Sequence, residues 1–289
     1  MEFGFTDGNS KIVINMSSSP QVTVCLPTYN GGLFLEDCLA SLAQQSGVAV
    51  EVVLRDDCSS DQTLQIAKAT ALKFPQLNWN IQRNSQRLGM VQNWNACLKA
   101  ATGEFVKVMG QDDLLLPGCL SKQVQALRDH PSAALTVSAA QLYSAKGAKL
   151  FSKRRHWSEG FHSGQEIIHD CARRAYNPLG EPVTGLARRE KMLSQGGYDE
   201  SLRYWVDVEM WFQLIEDGGC VLLREALCGF RIHRGAASFT LQGDSYAEFL
   251  QVANDYAPPE SVISGRSFGQ RLRAGVDSAG RLAIYRLFG

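Results

Sequence analysis

The chain has 289 residues, 45% of them hydrophobic, so it can bury a full core, and its 29 Lys plus Arg balance 29 Asp plus Glu, which excludes a global field that would draw nucleic acid. Its eight cysteines, at positions 25, 38, 58, 97, 119, 171, 220 and 228, form no Cys-x-x-Cys pair, which excludes a zinc or dithiol motif and suits reduced core residues of a cytoplasmic protein. No stretch reaches the ~18 apolar residues of a membrane span, and residues 1–20 are a polar lead without a basic start and apolar block, so any membrane contact is expected to be peripheral.

After the lead, the run 22–26 predicts a buried strand that stops at Pro27-Thr28-Tyr29-Asn30-Gly31-Gly32. Leu33, Leu35, Leu39 and Leu42 recur at near-helical spacing and predict a helix that ends by Gly47. A second strand at 50–54 ends in Arg55-Asp56-Asp57, and Ser60 or Asp61 can cap the next helix, carried by Leu64, Ile66, Ala67, Ala71 and Leu72. A strand at 77–82, a polar turn at 84–89 and a helix at 90–101 follow. The run from Phe105 to Met109, interrupted by Lys107, then predicts a buried strand that stops at Gly110, with Gln111-Asp112-Asp113 beyond it. In an open α/β sheet, ligands bind beyond the carboxyl ends of the strands, so acids placed there suit Mg²⁺ or Mn²⁺ and phosphate. Taken alone, the Asp pair reads first as a solvated turn capping a helix near Pro117, and the other segments of the chain reverse that order.

A helix at 118–128 and a strand at 134–143 continue the alternation. The polar stretch 144–163 predicts a hairpin or mobile loop, and its Lys153-Arg154-Arg155-His156 run reads as a solvated face before a phosphate clamp. A helix through Ile167, Ile168 and Cys171, irregular chain at 177–182, a strand at 183–188, a turn at 196–200 and a helix at 206–215 come next. Asp207 stands at that helix's start, where an acid ordinarily offsets the macrodipole. Two short strands at 220–223 and 227–232 lead to His233. Beyond Pro258-Pro259, Leu272, Val276, Ala279, Ala283 and Leu287 fall on one stripe of an arginine-rich tail. That amphipathic tail suits core packing, a homodimer or peripheral membrane contact. Strand and helix in alternation give an α/β fold with a mostly parallel central sheet and helices on both faces.

Together these segments resemble the family 2 glycosyltransferases. Val24-Cys25-Leu26-Pro27-Thr28-Tyr29-Asn30 is similar to that family's opening strand and loop, and Asp56-Asp57-Cys58-Ser59-Ser60-Asp61-Gln62-Thr63 to its Asp-Asp-x-Ser-x-Asp-x-Thr signature. Gly103-Glu104-Phe105 with Gln111-Asp112-Asp113 resembles the metal strand. Gly197-Tyr198-Asp199-Glu200 with Val206-Asp207-Val208-Glu209-Met210-Trp211 resembles the acceptor-side block. Phe230-Arg231-Ile232-His233, with Ser238 beyond, resembles the closing Tyr-Arg-x-His motif.

The resemblance spans 22–238 and implies a fold of GT-A type: a Rossmann-like, mostly parallel sheet at 21–240, divided into a nucleotide-binding part (21–116) and an acceptor-side part (117–240). A C-terminal helical tail at 241–289 would follow. It implies a UDP-, GDP- or dTDP-sugar donor, a glycan or lipid-linked acceptor in surface polysaccharide assembly, inversion, and action in the cytoplasm or at the inner membrane face. At the matching positions Pro27, Thr28, Tyr29, Asn30, Asp57, Arg87, Asn95, Gln111 and Asp112 would hold the nucleotide. Asp112, Asp113 and His233 would hold the divalent ion (Mn²⁺ or Mg²⁺), and Asp207 would be the base. Trp205, as a sugar platform, and Glu181 would face the acceptor, with Trp211 in the core.

The sequence departs from the family pattern at Gly110, where Asp-x-Asp would start, at Trp94 in place of an arginine, and at Val206 in place of a glutamate. Two rival classes remain on the residues alone. A dehydrogenase or P-loop enzyme lacks support, since both glycine-rich fingerprints are absent. A catalytically inactive nucleotide- or glycan-binding protein of the same fold is the alternative, separable by turnover.

Overall fold

The computed structural model describes residues 2–6, 11–15, 19–153, 157–241, 245–257, 285 and 287–288. In chain order it runs β1 (Glu2–Thr6), β2 (Lys11–Asn15), β3 (Val22–Thr28), α1 (Leu35–Ala43), β4 (Val50–Asp56), α2 (Thr63–Lys73), β5 (Asn78–Arg83) and α3 (Met90–Ala100). Then come β6 (Phe105–Val108), β7 (Leu114–Leu115), α4 (Cys119–Asp129), β8 (Ala133–Ser144), β9 (Lys149–Lys153), β10 (Gly160–Ser163) and α5 (Gly164–Arg174). A 3₁₀ turn (Pro182–Thr184) opens β11 (Gly185–Arg188), followed by α6 (Arg189–Ser194), α7 (Val206–Ile215), β12 (Gly219–Ile232), α8 (Ala237–Thr240) and α9 (Ser245–Tyr256).

Alternation of side chains settles the layering. Val22, Val24 and Leu26 of β3 face α1, α2 and α4, whereas Cys25 faces the opposite layer with α3, α5, α7 and α9. The sheet order is β1-β2-β5-β4-β3-β6-β11-β8-β12-β10, with β7 added to β12 and β9 to β8. Its centre, β5-β4-β3-β6, is parallel, and the margins are largely antiparallel, though β12 runs parallel to β8. The strand order reverses at β3, between β4 and β6, which opens a crevice at their carboxyl ends. Lys107, the polar residue inside β6, is fully buried and donates to the carbonyls of Val183 (2.6 Å) and Gly185 (2.7 Å). A lysine so placed ties β6 to the chain entering β11.

The helices and central strands fall within a few residues of their predicted positions. The predicted strands 220–223 and 227–232 are one strand, β12, which absorbs exposed Arg224 and Glu225 in register shifts. The stretch 144–163 holds two added strands, β9 and β10, and the lead contributes β1 and β2 to the sheet edge. Strand character at 183–188 starts only at Gly185, because Pro182 cannot donate to a ladder. The run 154–156 and the stripe Leu272, Val276, Ala279 and Ala283 lie outside the described residues. Leu287 is exposed, while Tyr285 is buried against Leu142, Ile232 and Ala236. Among the described residues no helix is long and apolar enough to cross a membrane.

Candidate functional site

The loops after β3 and β4 are stitched together by main-chain donors. Asn30 N–H donates to Ser59 Oγ (2.9 Å), Gly31 N–H to Thr63 Oγ1 (2.8 Å) and Gly32 N–H to Asp61 Oδ2 (2.9 Å). Ser60 N–H returns to Asn30 Oδ1 at 2.9 Å, which helps hold Asn30 at a positive φ of 48°. Gln111 pairs its carboxamide with the Tyr29 main chain in both directions at 2.9 Å, and a Cβ on Gly31 would collide with that carboxamide. Pro27 is half-buried near the end of β3, and Thr28 turns its hydroxyl to the Arg55 carbonyl at 3.3 Å. What this loop offers to solvent is the Tyr29 ring, with the Arg87 guanidinium over it at 4.0 Å from the centroid.

Two predicted nucleotide contacts have other work in the structure. Asp57 accepts from Asn84 Nδ2 (2.9 Å), Leu88 N–H (2.7 Å) and Gly89 N–H (2.9 Å), so its carboxylate anchors the turn before α3. One acceptor position on Oδ2 is left after those bonds. Asn95 makes a reciprocal pair with the main chain of Tyr198, donating at 2.9 Å and accepting at 2.8 Å. It therefore joins α3 to the 197–200 turn and does not face the Tyr29 loop. Trp94, at the position of a family arginine, packs edge-on against Tyr198 at 5.1 Å between ring centroids.

The acids after β6 meet the end of β12 because β7 pairs antiparallel with Cys228 and Gly229. Two residues beyond that pairing, Arg231 donates from Nε to the Asp112 carbonyl (3.1 Å), from its main chain to Asp113 Oδ1 (3.3 Å) and from Nη2 to Asp37 Oδ2 (3.1 Å). Its guanidinium also covers the Phe34 ring at 4.7 Å. His233 Nε2 then reaches Asp112 Oδ2 at 2.5 Å, and both groups are partly exposed. Asp113 is only 3% exposed, and burial, then the charge of Asp112, pushes its carboxyl well above the usual carboxylate range. Of the three predicted metal ligands, Asp112 and His233 come together while Asp113 turns to the Arg231 main chain. Among the described residues no three acidic, His or Cys side chains gather as a ligand set. A Cβ at Gly110 would lie 2.5 Å from Asp112 Oδ1 and 3.1 Å from Asp113 Oδ2, so the missing side chain leaves these carboxylates their room.

On the other side, Asp207 lies half-buried in the first turn of α7 and accepts from Val208 N–H at 3.0 Å. Burial raises its pKa to about 7, the negative charge of Glu181 adds to the rise, and the Val208 N–H and Lys153 oppose it. Lys153 Nζ sits 2.5 Å from Glu181 Oε1. Glu181 is the common neighbour of the two acid corners, since its charge also raises Asp113. Trp205 is not a sugar platform: it is 6% exposed, packs at 5.2 Å on Phe249, and belongs to the core, as does Trp211. Two site residues escaped the sequence reading. Arg231 was legible in the closing motif, whereas Glu248, which accepts three main-chain N–H groups before α7, lies beyond every motif and carries no local signal.

Comparison with known proteins bears on this arrangement. A profile of glycosyl transferase family 2 matches residues 23–174. Uncharacterized protein MT1568 of Mycobacterium tuberculosis is 32% identical over 232 residues, covering 77% of this chain and 68% of that one. The amylovoran biosynthesis glycosyltransferase AmsE of Erwinia amylovora is 30% identical over 185 residues, covering 64% and 65%. Among solved structures, S. aureus TarS 1–349 in complex with UDP-GlcNAc superposes with a TM-score of 0.66 at 20% identity, covering 92% of this chain and 71% of that one. The mannosyltransferase PcManGT from Pyrobaculum calidifontis, in complex with GDP-Man and Mn²⁺, gives 0.64 at 19%, covering 94% and 77%. These two likenesses establish the GT-A architecture.

Proposed function

The chain belongs to glycosyl transferase family 2, and from that premise we propose that it moves a sugar from a nucleotide-diphosphate sugar to a hydroxyl of a glycan or lipid-linked acceptor, with inversion at the anomeric carbon. The observation that carries the reading is Asp207, half-buried in the first turn of α7, whose carboxyl is raised to about 7 by burial and by the charge of Glu181. An acceptor hydroxyl must lose its proton as it attacks, and a base with a pKa near the working pH serves best. Direct attack with one base and one leaving group gives inversion.

UDP- and GDP-sugars are the donors of first choice, because TarS and PcManGT hold UDP-GlcNAc and GDP-Man. Tyr29 and Arg87 would meet the nucleotide from the β3 loop. The Asp112 carboxylate and the His233 imidazole bond directly to each other, and on giving up that bond they would offer a hard oxygen and nitrogen pair that suits Mn²⁺ or Mg²⁺. An ion held there supplies Lewis-acid stabilisation of the charge developing on the leaving diphosphate. Arg231 keeps Asp112 in place through its carbonyl. Likeness to AmsE supports a role in polysaccharide biosynthesis, and eight cysteines outside any disulfide suit work in the cytoplasm, at or near the inner face of the membrane.

The test is a panel of UDP-, GDP- and dTDP-sugars with Mn²⁺, scored for nucleotide diphosphate release with and without chelator, beside Asp207→Asn. Release that requires both metal and Asp207 supports the reading. A second reading, a nucleotide- or glycan-binding protein without turnover, rests on Gly110 at the first Asp-x-Asp position. It gains if nucleotide binds tightly, no donor and acceptor pair yields release, and Asp207→Asn changes nothing.

A further inference from the structure

α7 begins without a side-chain cap at its N-cap residue: Trp205 accepts from Glu209 N–H through its main-chain carbonyl (2.9 Å), and its side chain makes no capping bond. The amides ahead of the helix are satisfied from elsewhere. Glu248 of α9 accepts from Arg203 N–H at 3.0 Å through Oε1, and from Tyr204 N–H at 2.7 Å and Trp205 N–H at 3.0 Å through Oε2. Three consecutive main-chain donors thus converge on one carboxylate from a helix some forty residues downstream, and the segment they define ends two residues before Asp207. Bonds to a charged acceptor are stronger than neutral ones, so this is a firm clamp. The residue after Glu248 reinforces it, since Phe249 packs its ring against Trp205. Further along, Tyr256 of α9 donates to Glu209 Oε1 at 2.6 Å and packs edge-on against Phe212 at 6.0 Å. α9 therefore holds α7 just ahead of its first turn and again along its middle.

We infer that Glu248 is a positioning residue for Asp207: by fixing the main chain of 203–205 it sets where the first turn of α7 starts, and hence where the Asp207 carboxylate stands in the crevice. The inference rests on Asp207 being the base of the proposed reaction. Glu248 touches no reacting atom in this account. Its effect is on the alignment of another residue, and misplacement of a catalytic group by about 1 Å can cost on the order of a hundredfold in rate. The groups facing Asp207 are Glu181 and Lys153, with Tyr198 also within electrostatic reach. None of them depends on Glu248 for its own partner: Lys153 and Glu181 pair with each other, and the Tyr198 main chain pairs with Asn95.

The experiment compares wild type, Glu248→Ala and Glu248→Gln in the full chain. The Asp207 carboxyl carbon is titrated by ¹³C NMR, assigned by its loss in Asp207→Asn, and nucleotide diphosphate release is followed against pH on the sugar-nucleotide panel with Mn²⁺. UDP binding and the thermal midpoint are measured alongside. The expected result is a folded Glu248→Ala whose Asp207 midpoint drops by one unit or more as water reaches the loosened turn. UDP affinity should be unchanged within twofold, and kcat should fall at least tenfold. Glu248→Gln, which keeps one acceptor oxygen, should fall between. A merely structural role would lower the thermal midpoint and leave the Asp207 titration where it was, and that outcome overturns the inference, as would unchanged titration with unchanged kcat. If Glu248→Ala does not fold, Glu248→Gln decides by the same readouts. If wild type releases nucleotide from no donor, the proposed reaction falls, while the carboxyl titration still decides whether Glu248 governs Asp207.

Discussion

Asp207 is under two opposing demands. Its folded pKa of about 7 lies above the ordinary ~3.9 of an unfolded aspartate, so the folded state favours the protonated form. The stability this contributes is full below about pH 4 and is lost as pH rises through 7. The proposed role as base asks for the opposite form, so turnover should climb with pH through about 7 and fall tenfold per unit below it, and a pH–rate profile checks this. Asp207→Asn should abolish turnover by at least a hundredfold, yet gain thermal stability over wild type at pH 8, on the order of 2 kcal/mol, and not at pH 4. Thermal melts at the two pH values read the sign directly. At the other corner, His233→Ala removes the imidazole that meets Asp112, and the Mn²⁺ concentration needed for half-maximal release should rise about tenfold or more. Gly110→Ala puts a methyl 2.5 Å from Asp112 Oδ1, so it should weaken turnover while changing the melting midpoint little, because a carboxylate at the tip of a side chain can move aside.

At the scale of elements, what could be read from the sequence was what local periodicity encodes. The apolar runs of β3 and β4, the acids that follow β4 and β6, and the helical spacing of Leu35, Leu39 and Leu42 locate the loops of the crevice from the sequence alone. What local pattern leaves out has one cause, a partner far along the chain. Asn95 finds the Tyr198 main chain 103 residues away, and Asp57 accepts from amides 31 and 32 residues on, which leaves it one acceptor position. Trp205 shows the same limit: nothing in its neighbours reveals that Phe249 will cover its ring. β7 is two residues long and has no pattern of its own, yet it carries the pairing that delivers Arg231 and His233. The assignment of Asn95 has a measurable consequence. Asn95→Ala strips both partners from the buried Tyr198 main chain and should cost roughly 2–3 kcal/mol, a drop of several degrees in the melting midpoint. UDP affinity should stay within twofold; a large loss of affinity in a folded Asn95→Ala would return this residue to the nucleotide site.

The whole molecule is a single extended sheet with two apolar layers, and its cysteines report on that packing. None of the eight is in a disulfide, and seven are buried while Cys58 alone is partly exposed. A thiol reagent should therefore modify at most one cysteine quickly in the native protein and all eight after denaturation. Rapid reaction of two or more would mean that the layers open readily. The pairing of β7 with β12 has a further consequence, for the order in which the protein is made. Asp113 and Arg231 are 118 residues apart, an interval of roughly 6–24 s at the usual pace of translation. A nascent chain can thus lay down the β3, β4 and β6 loops while the strand that completes the acid corner is still inside the ribosome. A nascent chain would have the β3 and β4 loops without His233, so the Asp112–His233 pair forms only after the loops of the crevice are laid down.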